Sequence, residues 1–162
     1  MKTMGVDISG RKPKSEVGDY FGSNWWGWRP IHTICDIAIY KEKLRMNTEY
    51  WGSNDGKGLR TQKQCDRLAE AIEGLLGDDI NLKEDNDRVY LCLGSWCEFG
   101  TGKFIPNELV ISLNEQYPMG TILYTSIICE DGTAVESSHS TSVGRIKEFI
   151  NFLKNCGGFE IW

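Results

Sequence analysis

The chain is poor in histidine: His32 and His139 are the only two in 162 residues, and they stand far apart in the sequence. It also lacks any CxxC pair, since its six cysteines fall at 35, 65, 92, 97, 129 and 156. A structural zinc site wants paired ligands at short spacing, and only Cys92 and Cys97 come near that pattern. No metal centre and no cofactor are therefore expected, and a metal hydrolase is a poor fit. Disulfide frameworks belong to shorter, secreted chains, so most of the six cysteines read as buried free thiols. No apolar run approaches the ~18 residues of a membrane span, and the first residues, MKTMGVDISGRKPKSE, hold no apolar signal-peptide core. The expectation is a cytoplasmic protein that does not engage a membrane. Excess positive charge is missing too, with 18 Lys and Arg against 23 Asp and Glu, a net of −5. That argues against a nucleic-acid partner held by a global basic field, while leaving room for a local basic patch.

What is present is enough apolar matter, 40% of residues, to build one core, in a length that suits one domain spanning 1–162. Tryptophan is over-represented. Three of the six occupy four positions, Trp25, Trp26 and Trp28. Such a cluster is either a core plug or a surface on which a base, a sugar or a partner protein stacks. Trp25 and Trp26 are adjacent and cannot point the same way, so at least one should reach the surface or a pocket edge.

Three helices are legible. The first is expected over 30–42, opening at Pro30, with Ile31, Ile34, Cys35 and Ala38 on one face. The second, over 61–76, opens with Thr61-Gln62-Lys63-Gln64, a capping box, and carries Cys65, Leu68, Ala69, Ile72, Leu75 and Leu76 as one stripe ending at Gly77. The third, over 142–156, follows a Ser/Thr cluster and turns Val143, Ile146, Phe149, Ile150 and Leu153 inward, with Gly157 as its cap. Period-two alternation predicts a strand over 44–51, with Arg45, Asn47, Glu49 and Trp51 on its wet face. Further strands are expected at 89–93, 109–113, 121–130 and 133–137, the last two joined by an Asp131-Gly132 turn, and an edge strand or tail at 159–162. Residues 10–24 and 77–87 read as surface loops. Without a βαβ rhythm the expected architecture is a single α+β domain, three helices laid on an antiparallel sheet.

Several motifs recur together: Met4-Gly5-Val6-Asp7, Gly18-Asp19-Tyr20-Phe21, Trp26-Gly27-Trp28-Arg29-Pro30, Ser53-Asn54-Asp55-Gly56-Lys57-Gly58-Leu59, and the run from Phe149 to Gly157-Gly158-Phe159-Glu160-Ile161. Their order resembles that of a family of small uncharacterised proteins from bacterial genomes and their phages, over residues 4–76 and 142–162. The resemblance brings no catalytic residue with it. It implies a phage or mobile-element setting, and a start at Met4 with residues 1–3 as an extension. Relatives with CxxC pairs and Gly-Thr-Gly in the middle are echoed only by Cys97 to Gly102.

The candidate chemistry gathers at two junctions. Ser53, Asn54, Asp55, Gly56 and Lys57 precede a capped helix, where backbone amides and a helix N-terminus can hold an anion; the same residues also make a plain turn. The spacing is not that of a phosphate-binding GxxxxGK[ST] loop. Arg29, beside Trp25, Trp26 and Trp28, can stack on an indole and present its fork to an acidic group, or pair internally with Asp7 or Asp55. If the two junctions share a sheet edge, they make one anion site with aromatic walls, suited to a nucleotide. Ser138-His139-Ser140 offers no triad geometry, because neighbours on a strand point apart. His32 reads as a structural histidine.

Binding is thus favoured over catalysis. The expected function is a small non-enzymatic accessory protein that binds a host protein or a nucleotide-like ligand and interferes with a host process such as defence. The rival is a small enzyme acting on a nucleotide or sugar through Asn54, Asp55 and His139. A third reading is an assembly protein whose tryptophans form an oligomer contact.

Overall fold

The computed structural model describes residues 5–77, 81–85, 88–94, 122–128 and 134–162. Among the described residues the chain is an α+β domain with three helices and two sheets. One sheet is antiparallel throughout, ordered β2-β1-β7 from Gly5–Gly10 (β1), Tyr20–Asn24 (β2) and Phe159–Ile161 (β7). The central strand, β1, pairs Ile8 with Phe21 on one side and with Ile161 on the other. Its alternation is short but real, for Val6 and Ile8 are buried while Asp7 and Ser9 are half-buried.

The second sheet is ordered β3-β4-β5-β6, from Asn81–Asp85, Arg88–Gly94, Ile122–Ile128 and Ala134–Ser142. Here the antiparallel expectation needs a correction, because the central pair β4 and β5 runs parallel. Parallel neighbours need a crossover rather than a tight hairpin, and residues 95–121 separate these two. The strands expected at 89–93, 121–130 and 133–137 correspond to β4, β5 and β6. The one expected at 109–113, the Asp131-Gly132 turn and Cys97 to Gly102 lie outside the described residues.

The helices are α1 (Trp25–Lys41), α2 (Gln62–Gly77) and α3 (Val143–Asn155). α1 begins five residues before Pro30, because the Asn24 side chain accepts a hydrogen bond from the Gly27 N–H (2.7 Å) and caps the first turn. Pro30 therefore sits inside the helix, buried. Trp28, Ile31, Cys35 and Ala38 recur at helical spacing, so the inward stripe extends one turn further back than the aliphatic residues alone show. The capping box of α2 forms as expected: the Gln64 N–H donates to the Thr61 hydroxyl (3.2 Å), and the Gln64 side chain accepts from the Thr61 N–H (3.3 Å). Ser142 caps α3 by accepting from the Arg145 N–H. Gly157 and Gly158, both at positive φ, turn the chain from α3 into β7.

Three segments depart from expectation. Residues 44–51 form no strand. Leu44 and Met46 lean on the core from an irregular segment, and Trp51, expected on the wet face, is buried. Within 10–24, residues 20–24 are strand β2, with Phe21 buried; within 77–87, residues 81–85 are strand β3. The core is strongly aromatic. Phe149 lies 5.1 Å from Phe21 and 5.5 Å from Trp28, and Trp51 meets Phe159 edge-on at 5.3 Å, ring centre to ring centre. Cys35, Cys65 and Cys156 are free thiols inside it. Among the described residues, no helix is long and apolar enough to cross a membrane.

Candidate ligand-binding groove

The Trp28 indole is fully buried, and its N–H donates to the Trp51 carbonyl (2.8 Å). This bond joins the first turn of α1 to the segment that runs into Ser53–Gly58. His32 lies between the two indoles, 6.2 Å from Trp28 and 5.9 Å from Trp51, with Nε2 3.5 Å from Asp36. Asp36 also accepts from the Thr48 hydroxyl. The cluster is a structural brace, as read for His32 from the sequence.

Beyond Trp51 the chain turns at Asp55-Gly56-Lys57. The Asp55 carboxylate accepts from the Lys57 N–H (3.2 Å), and the Gly56 N–H donates to the Ile161 carbonyl (2.8 Å). Gly56 holds φ +82°, and a Cβ there would stand 2.6 Å from the Trp162 ring, so the position needs glycine twice over. This packing sets the turn against the C-terminal strand, and a groove of about 420 Å³ opens between them.

Its walls combine rings and charges. Tyr50 and Trp162 line it half-exposed, and Trp51 lies beneath. Lys57 rests its ammonium 3.7 Å from the Tyr50 ring centre. Arg11 enters from the end of β1, with its guanidinium on Glu160 (2.9 Å) and on the carbonyls of Leu59 and Phe159. Arg60 stands just before the α2 cap. Three cations, Arg11, Lys57 and Arg60, face two carboxylates, Asp55 and Glu160, in a chain of net −5. Because Glu160 is taken up by Arg11, the positive character concentrates at Lys57 and Arg60.

Of the residues expected at the site, Asp55, Gly56 and Lys57 line this groove, and Ser53 and Asn54 are exposed beside it. The tryptophan cluster divides. Trp28 is core, Trp25 is half-buried against the core, and Trp26 is exposed, with the Arg29 guanidinium 5.4 Å from its ring centre. None of these four is a wall of the groove. Asp7, an expected partner for Arg29, instead accepts from the Tyr20 hydroxyl (2.5 Å), which raises the Tyr20 pKa. The aromatic walls come from Tyr50, Trp51 and Trp162, which sequence reasoning missed along with Arg11, Arg60 and Glu160. A signal existed in the Gly-rich turn and in the apolar C-terminus, but only strand pairing brings them together.

Among the described residues no group of His, Cys, Asp and Glu could hold a metal ion. His139 falls in β6, in the other sheet from the strands that border the groove. Comparison with known proteins adds nothing to this geometry: no family model, curated protein or solved structure matches the chain.

Proposed function

We propose that this is a small non-enzymatic binding protein whose groove takes a nucleotide-like ligand, a planar ring bearing an anionic group. The observation that carries the reading is the pairing of half-exposed rings, Tyr50 and Trp162, with Lys57 and Arg60 across one turn. A base stacked on such a ring gains ~1–3 kcal/mol, and the phosphate would meet the two cations. Binding rather than turnover is favoured because, among the described residues, the groove offers a stacking surface and charge and no nucleophile paired to a base. The motif order supports an accessory protein of a phage or mobile element. In that setting, sequestering a signalling nucleotide would blunt a host defence.

The test is a thermal-shift panel of mononucleotides, dinucleotides and cyclic dinucleotides, followed by calorimetry. A ligand at a hundredfold excess over Kd stabilises by about 2.7 kcal/mol, a shift of a few degrees for a domain of this size. Lys57→Ala and Trp162→Ala should each weaken binding at least ~10-fold, matching the ~1–3 kcal/mol of one stacked base or one charge-assisted contact. If no nucleotide shifts the protein, and a host protein is captured through the same face, the ligand reading falls to the host-protein alternative.

A further inference from the structure

Cys65 and Cys156 are ninety-one positions apart in sequence, yet their sulfurs lie 3.6 Å apart in hydrogen-bond contact. Cys65 sits in the first turn of α2 and Cys156 caps the end of α3, and both are fully buried. Their backbones are pinned together by Gln62, whose side chain donates to the Leu153 carbonyl (2.8 Å) and accepts from the Gly157 N–H (2.7 Å). A disulfide needs ~2.05 Å between sulfurs, so they must close by only ~1.5 Å. The residues that follow Cys156 are the two glycines of the turn into β7.

We propose that Cys65 and Cys156 are a peroxide-oxidisable dithiol that closes to an intramolecular disulfide. The roles divide by environment. In the neutral pair the Cys156 thiol donates to the Cys65 sulfur; when Cys156 ionises the Cys65 thiol donates back, which lowers the Cys156 pKa, and the Gly158 N–H serves both sulfurs. The hydrogen bond to Cys156, with burial, pushes the Cys65 thiol up. In the proposal Cys156, at the end of α3 beside the two-glycine turn, is the attacking sulfur, and Cys65, within α2, is the resolving one. The Cys156 thiolate attacks one oxygen of hydrogen peroxide and the O–O bond breaks, leaving a sulfenic acid on Cys156 and hydroxide, which takes up the thiol proton as water. The Cys65 sulfur then attacks the sulfenic sulfur, and the S–O bond breaks. The departing hydroxyl leaves with the Cys65 proton as a second water. Two thiols are oxidised by two electrons and one peroxide is reduced. Burial restricts the oxidant to a small one that enters on local opening near the glycine turn.

The experiment is peroxide treatment of the full chain, then peptide mapping by mass spectrometry under non-reducing conditions. The expected result is a Cys65–Cys156 linked peptide, a mass lower by two hydrogens, reversal by dithiothreitol, and a thermal midpoint raised by ~5–10 °C, because a long loop is closed in the unfolded chain. In Cys65→Ala, oxidation should stop at a sulfenic acid on Cys156 that dimedone traps. Retention of both thiols in oxidised wild-type protein, or linkage through other cysteines, overturns the proposal. The wild-type map decides the matter even if the variant does not fold.

Discussion

Two tryptophans of one motif have opposite roles, and a single hydrogen bond separates them. Trp28 fills the core and gives its indole N–H to the Trp51 carbonyl, while Trp26, two residues away, is 57% exposed. Trp28→Phe removes the donor and leaves both a buried carbonyl and a void. The expected loss is about 2–4 kcal/mol by denaturant unfolding. Trp26→Ala should cost less than about 1 kcal/mol, in the range of surface changes. Equal losses in the two variants would contradict the division described here. The sequence already required Trp25 and Trp26 to diverge. Which indole of the motif would be buried depended on where α1 begins, and that is decided by the Asn24 side chain, six residues before the Pro30 signal.

At the scale of elements, legibility followed the number of apolar residues each segment commits to the core. α2 buries Cys65, Leu68, Ala69, Ile72 and Leu75, α3 buries Ile146, Phe149, Ile150 and Leu153, and these faces and the N-terminal cap of each helix were readable from spacing alone. The α2 cap is expected to contribute in proportion. Thr61→Ala should destabilise the protein by about 1 kcal/mol in equilibrium unfolding, and Thr61→Ser should leave it nearly unchanged. Equal effects of the two substitutions would mean that the hydroxyl does not cap. β1 and β2 commit only Val6, Ile8 and Phe21, too few for a period to show. Residues 44–50 err the other way. Residues 44–49 alternate in burial as a strand would before Tyr50 breaks the pattern, yet Leu44 and Met46 pack on the core from an irregular segment with no partner strand among the described residues. Alternation reports one buried side; pairing must come from elsewhere in the chain. The same limit hid the groove, since Tyr50, Trp162 and Arg11 meet only after the first and last strands pair.

For the whole molecule, that pairing of chain ends is the decisive long-range event. Asp7 and Trp162 exchange backbone hydrogen bonds of 2.8 and 2.7 Å, the Phe159 N–H donates to Leu59 (2.7 Å), and the Gly56 N–H donates to Ile161 (2.8 Å). β7 thus ties β1, the groove turn and the approach to α2 into one body. Phe159 and Ile161 are fully buried, and Phe159 touches Trp51, Phe149 and Phe152. Burying two such side chains stabilises the fold by roughly 1.5–3 kcal/mol each, before the void left in the aromatic core is added. Against a typical total of about 5–15 kcal/mol, removing both together with the strand hydrogen bonds consumes most of the margin. Deleting residues 159–162 should therefore abolish the cooperative thermal transition, whereas Trp162→Ala, which removes only the half-exposed ring, should keep it within a few degrees. A truncated chain that still melts sharply near the parent midpoint would show that the two ends fold independently, and the groove could not then depend on their pairing.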